Sequence, residues 1–400
     1  MAADKIGIAW AVDPKSGWGI YGYNIIRHLC LRTQYTPVAL EVSDLGFVDP
    51  LEAGLIKDRT SVPLNENPEC LAPYAGTGRR LPFPVLHARG GNAAPQFSKL
   101  SNGVIGRRNH ALTFFENARI TARDVDIYNR FASVGAGSTW NASLLKAAGV
   151  KNVAAILQGV DPSLFHPAPK RGCFEGRFVI FAGGKMEYRK GQDIALKAVK
   201  IFVDRHPDTL LLCVWGNHWP EAWSYKQFIS SPYIDSVPPP DAEGRLQLPK
   251  WFEAFGLGRQ NLHAFSSFPH IHTAALMREA DVGLFPNRCE GGTNLVAMEA
   301  MACGLPTIIS RNTGHLDIIH DGACLPLESQ DEVPAFHRSI DTAGWGESSV
   351  DEIVEALEFA YQNRDEAAEI GRKGAQRMHE LSWDRQIAKL LAFIEAHGLD

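Results

Sequence analysis

Short apolar runs rich in β-branched and aromatic residues alternate along this chain with stretches whose apolar positions recur about every third or fourth residue. Runs of the first kind read as buried strands and stretches of the second as helices with one apolar side. The alternation therefore predicts βαβ units wound around parallel sheets. The order repeats twice. In the first half, residues 6–12, 38–41, 85–88, 112–115, 132–135 and 153–157 read as strands. In the second half, 178–182, 210–215, 262–265, 282–285 and 307–310 do, and Ile194, Leu196, Val199, Phe202 and Val203 line one side of a helix over 193–205. The predicted fold class is α/β, with two doubly wound, Rossmann-like domains.

The 400-residue length agrees, because single hydrophobic cores stop growing near ~250 to 300 residues. Pro162, Pro167 and Pro169 break helices and place the hinge within 159–171, so the domains are drawn as 1–168 and 169–382. A second irregular stretch, 217–247, holds Trp219, Trp223, Tyr225, Tyr233 and three consecutive prolines at 238–240, and is read as a surface excursion.

Composition narrows the function classes. With 45% hydrophobic and 21% charged residues the chain lies far from the signature of disorder. A net charge of −5 supplies no overall basic field, so nucleic acid is not an expected partner. The seven cysteines form no CxxC pair or zinc spacing, and reduced thiols in the cytoplasm fit them. Asp4 precedes a short apolar run that does not suit a signal segment, and no run of about 18 apolar residues occurs. Arg107, Arg108 and His110 form a small basic cluster that would meet an anionic acceptor or the inner membrane face, against the plainer reading of a solvated loop.

Chemistry-bearing residues gather where predicted strands give way to helices. Strand 178–182 runs into Gly183, Gly184 and Lys185, and Lys190-Gly191 follow just before the helix. Backbone N–H groups and the positive end of a helix favour an anion at such a turn, and each lysine adds a point charge. Lys185 and Lys190 are therefore candidate phosphate ligands, against the plainer reading of a solvated lysine turn. After strand 282–285, Glu290, Gly291, Gly292, Thr293, Asn294 and Leu295 open the helix that carries Glu299. Glycines there let backbone approach a ligand, first-turn amides bind phosphate or hydroxyls, and carboxylates accept from hydroxyls. Taken alone, the two glutamates also suit helix-end electrostatics and a solvated face.

In combination these segments resemble family 4 of the retaining glycosyltransferases, the glycosyl transferases group 1, which have the GT-B fold of two Rossmann-like domains facing each other across a cleft. Gly184-Lys185-Met186-Glu187-Tyr188-Arg189-Lys190-Gly191 is similar to the family's pattern of a basic residue, four others and Lys-Gly. Ala280-Asp281-Val282-Gly283-Leu284-Phe285-Pro286, Glu290-Gly291 and Glu299-Ala300-Met301-Ala302-Cys303-Gly304-Leu305-Pro306 resemble its donor-site block, in order. Gln158-Gly159-Val160-Asp161-Pro162 resembles its crossing between domains, and Ser382-Trp383 its terminal helix, here 383–400, which returns to the first domain.

The resemblance implies an enzyme that transfers a hexose-type sugar from a nucleoside diphosphate sugar, UDP-linked first among the choices, to a hydroxyl acceptor with retention. The acceptor would be a saccharide or lipid-linked saccharide, in polysaccharide, glycolipid or glycoconjugate biosynthesis. Lys185 and Lys190 would neutralise the diphosphate, Glu299 would take the ribose hydroxyls and Glu290 would touch the sugar. The amides from Gly291 to Leu295 would stabilise charge on the leaving phosphate. No metal or other cofactor is implied.

Two departures from the family stand out. Eight residues separate Glu290 from Glu299 where the family has seven. Where many relatives place a histidine after a first-domain strand, this chain has Glu116, with His87 as the rival. Gly19, in the glycine-rich turn after the first strand, would let backbone approach the donor, or simply make a tight turn. The competing readings are an NAD-dependent Rossmann oxidoreductase, whose G-x-G-x-x-G fingerprint is missing, and a non-catalytic nucleotide-sugar-binding protein of the same fold.

Overall fold

The chain forms two six-stranded sheets, all parallel, as the alternation predicts. The computed structural model describes residues 5–13, 16–41, 48–60, 71, 73–96, 103–216, 228, 231–234, 239–243, 247–265, 268–333 and 341–399.

The first compact unit comprises Met1–Gly159 and Leu381–Asp400. Its elements are β1 (Lys5–Ile8), α1 (Gly17–Arg32), β2 (Thr36–Ala39), α2 (Pro50–Arg59), β3 (Val85–Arg89), β4 (Asn109–Thr113), α3 (Ala122–Tyr128), β5 (Ser133–Ala136), α4 (Thr139–Ala148) and β6 (Val153–Ala155). The sheet order is β2-β1-β3-β4-β5-β6, so the winding reverses between β1 and β3. Ile6, Ile8, Val85 and Val134 are fully buried, as strands covered on both faces require.

Several strands differ in extent from the sequence reading, β2 lying two residues earlier than the expected 38–41. Trp10 and Val12 are buried, yet the ladder of β1 stops at Ile8, because burial continues where pairing does not. The strand expected at 112–115 is β4 and starts at the polar Asn109, since His110 Nδ1 lies 2.8 Å from Ser133 Oγ inside the sheet. That bond takes His110 out of the expected basic cluster, and Arg107 donates to the Leu399 carbonyl (3.2 Å), while Arg108 is exposed. The apolar run at 153–157 pairs only over β6.

The second unit is Val160–Glu380. It contains β7 (Phe178–Gly184), α5 (Gln192–Arg205), β8 (Thr209–Trp215), α6 (Leu248–Ala254), β9 (Leu262–Phe265), α7 (His270–Glu279), β10 (Val282–Phe285), α8 (Leu295–Ala302), β11 (Thr307–Ser310), β12 (Leu325–Leu327), α9 (Val350–Gln362) and α10 (Arg364–Glu380). Its order is β9-β8-β7-β10-β11-β12. Ile194, Leu196, Val199 and Phe202 of α5 are buried, with the Phe202 ring 5.7 Å from that of Phe178, and each such side chain contributes roughly 1.5–3 kcal/mol.

The proline reading puts residues 160–168 in the first domain, but the structure packs them on the second. Arg278 donates to the carbonyls of Leu164 and His166 (both 2.9 Å), which ties the segment to α7. The last helix, α11 (Trp383–Ala396), belongs to the first unit, where the Trp383 ring lies 5.3 Å from Tyr21 and Asp384 Oδ1 lies 3.1 Å from His28 Nδ1. Of the excursion over 217–247, Trp219, Trp223, Tyr225 and Pro238 lie outside the described residues. Tyr233 lies within them and donates its hydroxyl to Glu347 (2.6 Å). No helix of the described residues is long and apolar enough to cross a membrane.

Candidate functional site

In the second unit the chain winds outward from β7 through β8 to β9, then returns to β10 on the other side of β7. Loops leaving the carboxyl ends of β7 and β10 therefore diverge, and such a switch point opens the crevice in which doubly wound sheets bind ligands. Lys185 and Lys190 follow β7; Glu290 follows β10.

The two loops are laced together. Gly191 has φ +68°, and a Cβ there would lie 2.1 Å from the Pro286 carbonyl oxygen, so only glycine lets the lysine turn close on the loop after β10. The Arg288 and Cys289 amides both donate to the Arg189 carbonyl, at 2.7 and 3.2 Å. Lys190 Nζ then reaches Glu290 Oε1 at 2.5 Å, Arg189 donates to Glu290 Oε2 at 3.0 Å, and the Asn287 amide also donates to Oε1. Arg189 forms a second ion pair with Glu187 (2.6 Å).

Burial alone would push the Glu290 carboxyl upward, but Lys190 and Arg189 outweigh it and hold its pKa down at about 2. A depressed carboxylate contributes stability that is complete above its ordinary value of 4.5 and is lost as pH falls toward about 2. Glu290→Gln, which has no proton to gain, is therefore expected to flatten the unfolding temperature across that acid range. Thermal melts of both proteins from about pH 5 down to about pH 2 check this.

The glutamate of α8 has a different partner. His270, the first residue of α7, places Nε2 2.6 Å from Glu299 Oε1. Burial disfavours the imidazolium, but the Glu299 charge and hydrogen bond prevail and raise the His270 pKa above its ordinary value. Between the two glutamates, Asn294 caps α8 in the left-handed conformation (φ 62°) and accepts from the Ala297 amide. Its side chain also meets His315 Nε2 at 3.0 Å. Gly291, Gly292, Thr293 and Leu295 complete this buried loop.

Beneath the site lies Arg288, wholly buried. It donates to both Asp193 oxygens (2.8 and 2.9 Å), to Glu347 (2.6 Å) and to the Tyr188 carbonyl (2.7 Å), and it stacks 3.7 Å from the Tyr188 ring centroid. Asp193 also accepts from the Ser231 hydroxyl (2.6 Å). The network fixes the turn 187–191 against the loop 286–290 from below.

The structure thus brings Lys190 and Glu290 into contact and sets Glu299 against His270. Arg189, Asn287, Arg288, His270 and His315 escaped the sequence reading. The one available signal was the position of Arg189 and Arg288 inside the motifs.

The first-unit candidates lie elsewhere. Gly19 gives its amide to the Ser16 hydroxyl at the cap of α1, and a Cβ there would lie 1.9 Å from the Asp13 carbonyl oxygen. The tight turn accounts for the glycine without a ligand. Glu116 is half-buried in the loop after β4, at the carboxyl end of that sheet. His87 sits mid-strand in β3 rather than at a strand end: it is buried, bonds Asn109 Oδ1 (2.9 Å), and burial lowers its pKa to about 4. It is packed into the sheet, away from the position the rival reading needs.

Comparison with known proteins bears on the same region. The family model described as Glycosyl transferases group 1 matches residues 168–377, more than half the chain. A D-inositol 3-phosphate glycosyltransferase of Arthrobacter sp. (strain FB24) is 26% identical over 245 residues, 58% of this chain and 47% of that protein. An alpha,alpha-trehalose-phosphate synthase (UDP-forming) of Encephalitozoon cuniculi (strain GB-M1) is 25% identical over 245 residues, 57% of this chain and 48% of that one. The chain spans about half the length of these curated relatives.

Among solved structures, sucrose-phosphate synthase from Thermosynechococcus elongatus superposes with a TM-score of 0.65 at 16% identity, covering 98% of both chains. Anabaena Alr3699/HepE in complex with UDP gives 0.63 at 14% identity, covering 98% of this chain and 100% of that one. Likeness at these identities speaks for the fold, two parallel-sheet units of the GT-B class. The match covers both the turn 184–191 and the segment 280–306, and the chain belongs to the glycosyl transferases group 1 family.

Proposed function

We propose that the chain transfers a hexose-type sugar from a nucleoside diphosphate sugar, UDP-linked, to a hydroxyl acceptor with retention at the anomeric carbon. The observation that carries this reading is the Lys190–Glu290 contact at the switch between β7 and β10, 2.5 Å long and built from two loops that sequence places 100 residues apart. A cation held beside the amino end of α5, facing a loop that opens α8, suits a diphosphate. In this reading Lys185 and Lys190 neutralise the phosphates, and the amides of 291–295 hold charge as it builds on the leaving group. Glu299, oriented by His270, accepts from the ribose hydroxyls. Glu290 meets the sugar, with Arg189 and Lys190 keeping it ionised. No metal takes part. Glu116, at the carboxyl end of the first sheet, stands on the acceptor side, and a saccharide or lipid-linked saccharide is the acceptor. The work is done in the cytoplasm.

The name of one relative includes UDP-forming, and one solved neighbour was crystallised with UDP; both support the choice of base. Calorimetric titration with UDP, GDP, ADP and NAD tests it, followed by turnover of UDP-sugars with a panel of sugar acceptors. UDP binding with transfer is the expected result. Binding without hydrolysis or transfer would mark a non-catalytic sugar-nucleotide-binding protein, and binding of NAD alone would mark the oxidoreductase.

A further inference from the structure

His315 is fully buried in the short helical turn Thr313–Asp317, after β11, and the donor-site reading gives it no task. Its hydrogen bonds fix its protonation. The Asn294 side chain spends its oxygen on the Ala297 amide, so Nδ2 is the atom that meets His315 Nε2 at 3.0 Å. An amide nitrogen only donates, and Nε2 must therefore be the unprotonated acceptor. Nδ1 then carries the hydrogen and donates to Ser310, whose Oγ lies at 3.0 Å and carbonyl oxygen at 3.1 Å. Ser310 in turn donates its hydroxyl hydrogen to the Asn287 carbonyl (2.7 Å), and the Asn287 amide donates to Glu290.

A series of bonded residues thus runs from Asn294 through His315 and Ser310 to the main-chain carbonyl of Asn287, whose side-chain amide bonds Glu290, and it touches both ends of the loop 290–294. Its far end is the strained one. Asn294 sits at φ 62°, in the left-handed region that few residues other than glycine occupy and that asparagine enters most readily when its side chain is bonded locally. Every atom of its side chain that could impose it is engaged either by Ala297 or by His315. The loop amides after Glu290 lie between Asn294 and Glu290, whose own amide donates to Thr313 Oγ1 (2.8 Å) and whose carbonyl accepts from the Gly314 amide (3.0 Å).

We infer that His315, as the neutral Nδ1–H tautomer, is a positioning residue for the donor: it holds Asn294 in the left-handed conformation and so aims the amides of 291–295 at the diphosphate. The inference rests on the donor-site reading above for its ligand, but the hold on Asn294 stands on geometry alone.

Two conservative variants separate the two ends of the imidazole. In His315→Gln the amide oxygen reaches the place of Nε2 and still accepts from Asn294, while the Ser310 bond is lost. In His315→Asn the shorter amide reaches the place of Nδ1, keeps Ser310 and loses Asn294. Each loses one buried hydrogen bond, so a merely structural role lowers both melting temperatures and both activities alike. The inference expects His315→Asn alone to lower kcat/KM for the UDP-sugar, by about tenfold to a hundredfold, with His315→Gln within about threefold of wild type. It also expects faster amide hydrogen exchange over 291–297 in His315→Asn alone.

Asn294→Gly supplies the left-handed conformation without a side chain, so adding His315→Asn to it should cost no further activity. Equal exchange and equal activity in the Gln and Asn variants, or an undiminished effect of His315→Asn in the Asn294→Gly background, would overturn the inference. If exchange responds as expected in His315→Asn while the wild type binds no nucleoside diphosphate, the hold on Asn294 is supported and the donor-site reading is what fails.

Discussion

Lys190→Ala is expected to weaken UDP binding by roughly tenfold to a hundredfold, the range of one charge-assisted hydrogen bond to phosphate, and to cut kcat/KM at least as much. The lysine has two jobs to tell apart. It lies 2.5 Å from Glu290 and is a large part of what keeps that carboxyl at about 2, so its loss also raises the Glu290 pKa and moves the acid limb of the stability curve upward. If neutralising Glu290 were its whole task, the double variant Lys190→Ala/Glu290→Gln would regain wild-type UDP affinity, because no buried charge would be left alone. If Lys190 meets the diphosphate, the double variant binds UDP as poorly as Lys190→Ala. Arg189, on the other oxygen of Glu290, keeps the single variant folded in either case. Titration calorimetry of the three variants, with circular dichroism to verify folding, decides it.

The sequence carried the second unit further than the first, and the reason lies in burial. Strands Leu262–Phe265, Val282–Phe285 and Thr307–Ser310 lie at the bounds that their apolar runs predict, whereas β1 and β4 do not. Trp10 and Val12 are buried beyond the ladder, and Asn109 and His110 are polar residues within it, Asn109 bonded to Gly106 and His87 and His110 to Ser133 through Nδ1. Hydrophobic pattern reports burial, and pairing only by proxy. The sixth strand, Leu325–Leu327, is three residues with a proline at its centre and leaves no run to see.

At the site, the motif residues Lys190 and Glu290 were legible because each follows a strand and precedes a helix. Their partners were not. The Arg288–Asp193, His270–Glu299 and Asn294–His315 pairs bridge 95, 29 and 21 residues, and nothing local marks them. A lone histidine such as His315 gains meaning only when its two nitrogens have neighbours. The loop between the glutamates enters α8 through the left-handed Asn294, a device that no spacing rule reveals.

Arg288→Ala should destabilise the second unit by about 3–5 kcal/mol, the usual consequence of removing one partner from a buried ion pair. Arg288 and Asp193 are both fully buried, and without the guanidinium the Asp193 carboxylate keeps only neutral donors such as Ser231 among the bonds described. For a unit of this size that loss lowers the melting temperature by roughly 6–20 °C. Arg288→Lys offers one ammonium where four hydrogen bonds now reach Asp193, Glu347 and the Tyr188 carbonyl, and is expected to recover only part of it. The informative variant is Arg288→Met/Asp193→Asn, which removes the two fully buried charges while keeping volume; Glu347, partly exposed, keeps the Tyr233 hydroxyl, so much of the stability should return. UDP affinity should stay below wild type in that double variant, because the Tyr188 carbonyl loses its anchor and the turn bearing Lys190 is no longer held from beneath. Differential scanning calorimetry and UDP titration on the same samples separate the two effects. Stability and affinity returning together would mean that the network serves only the core.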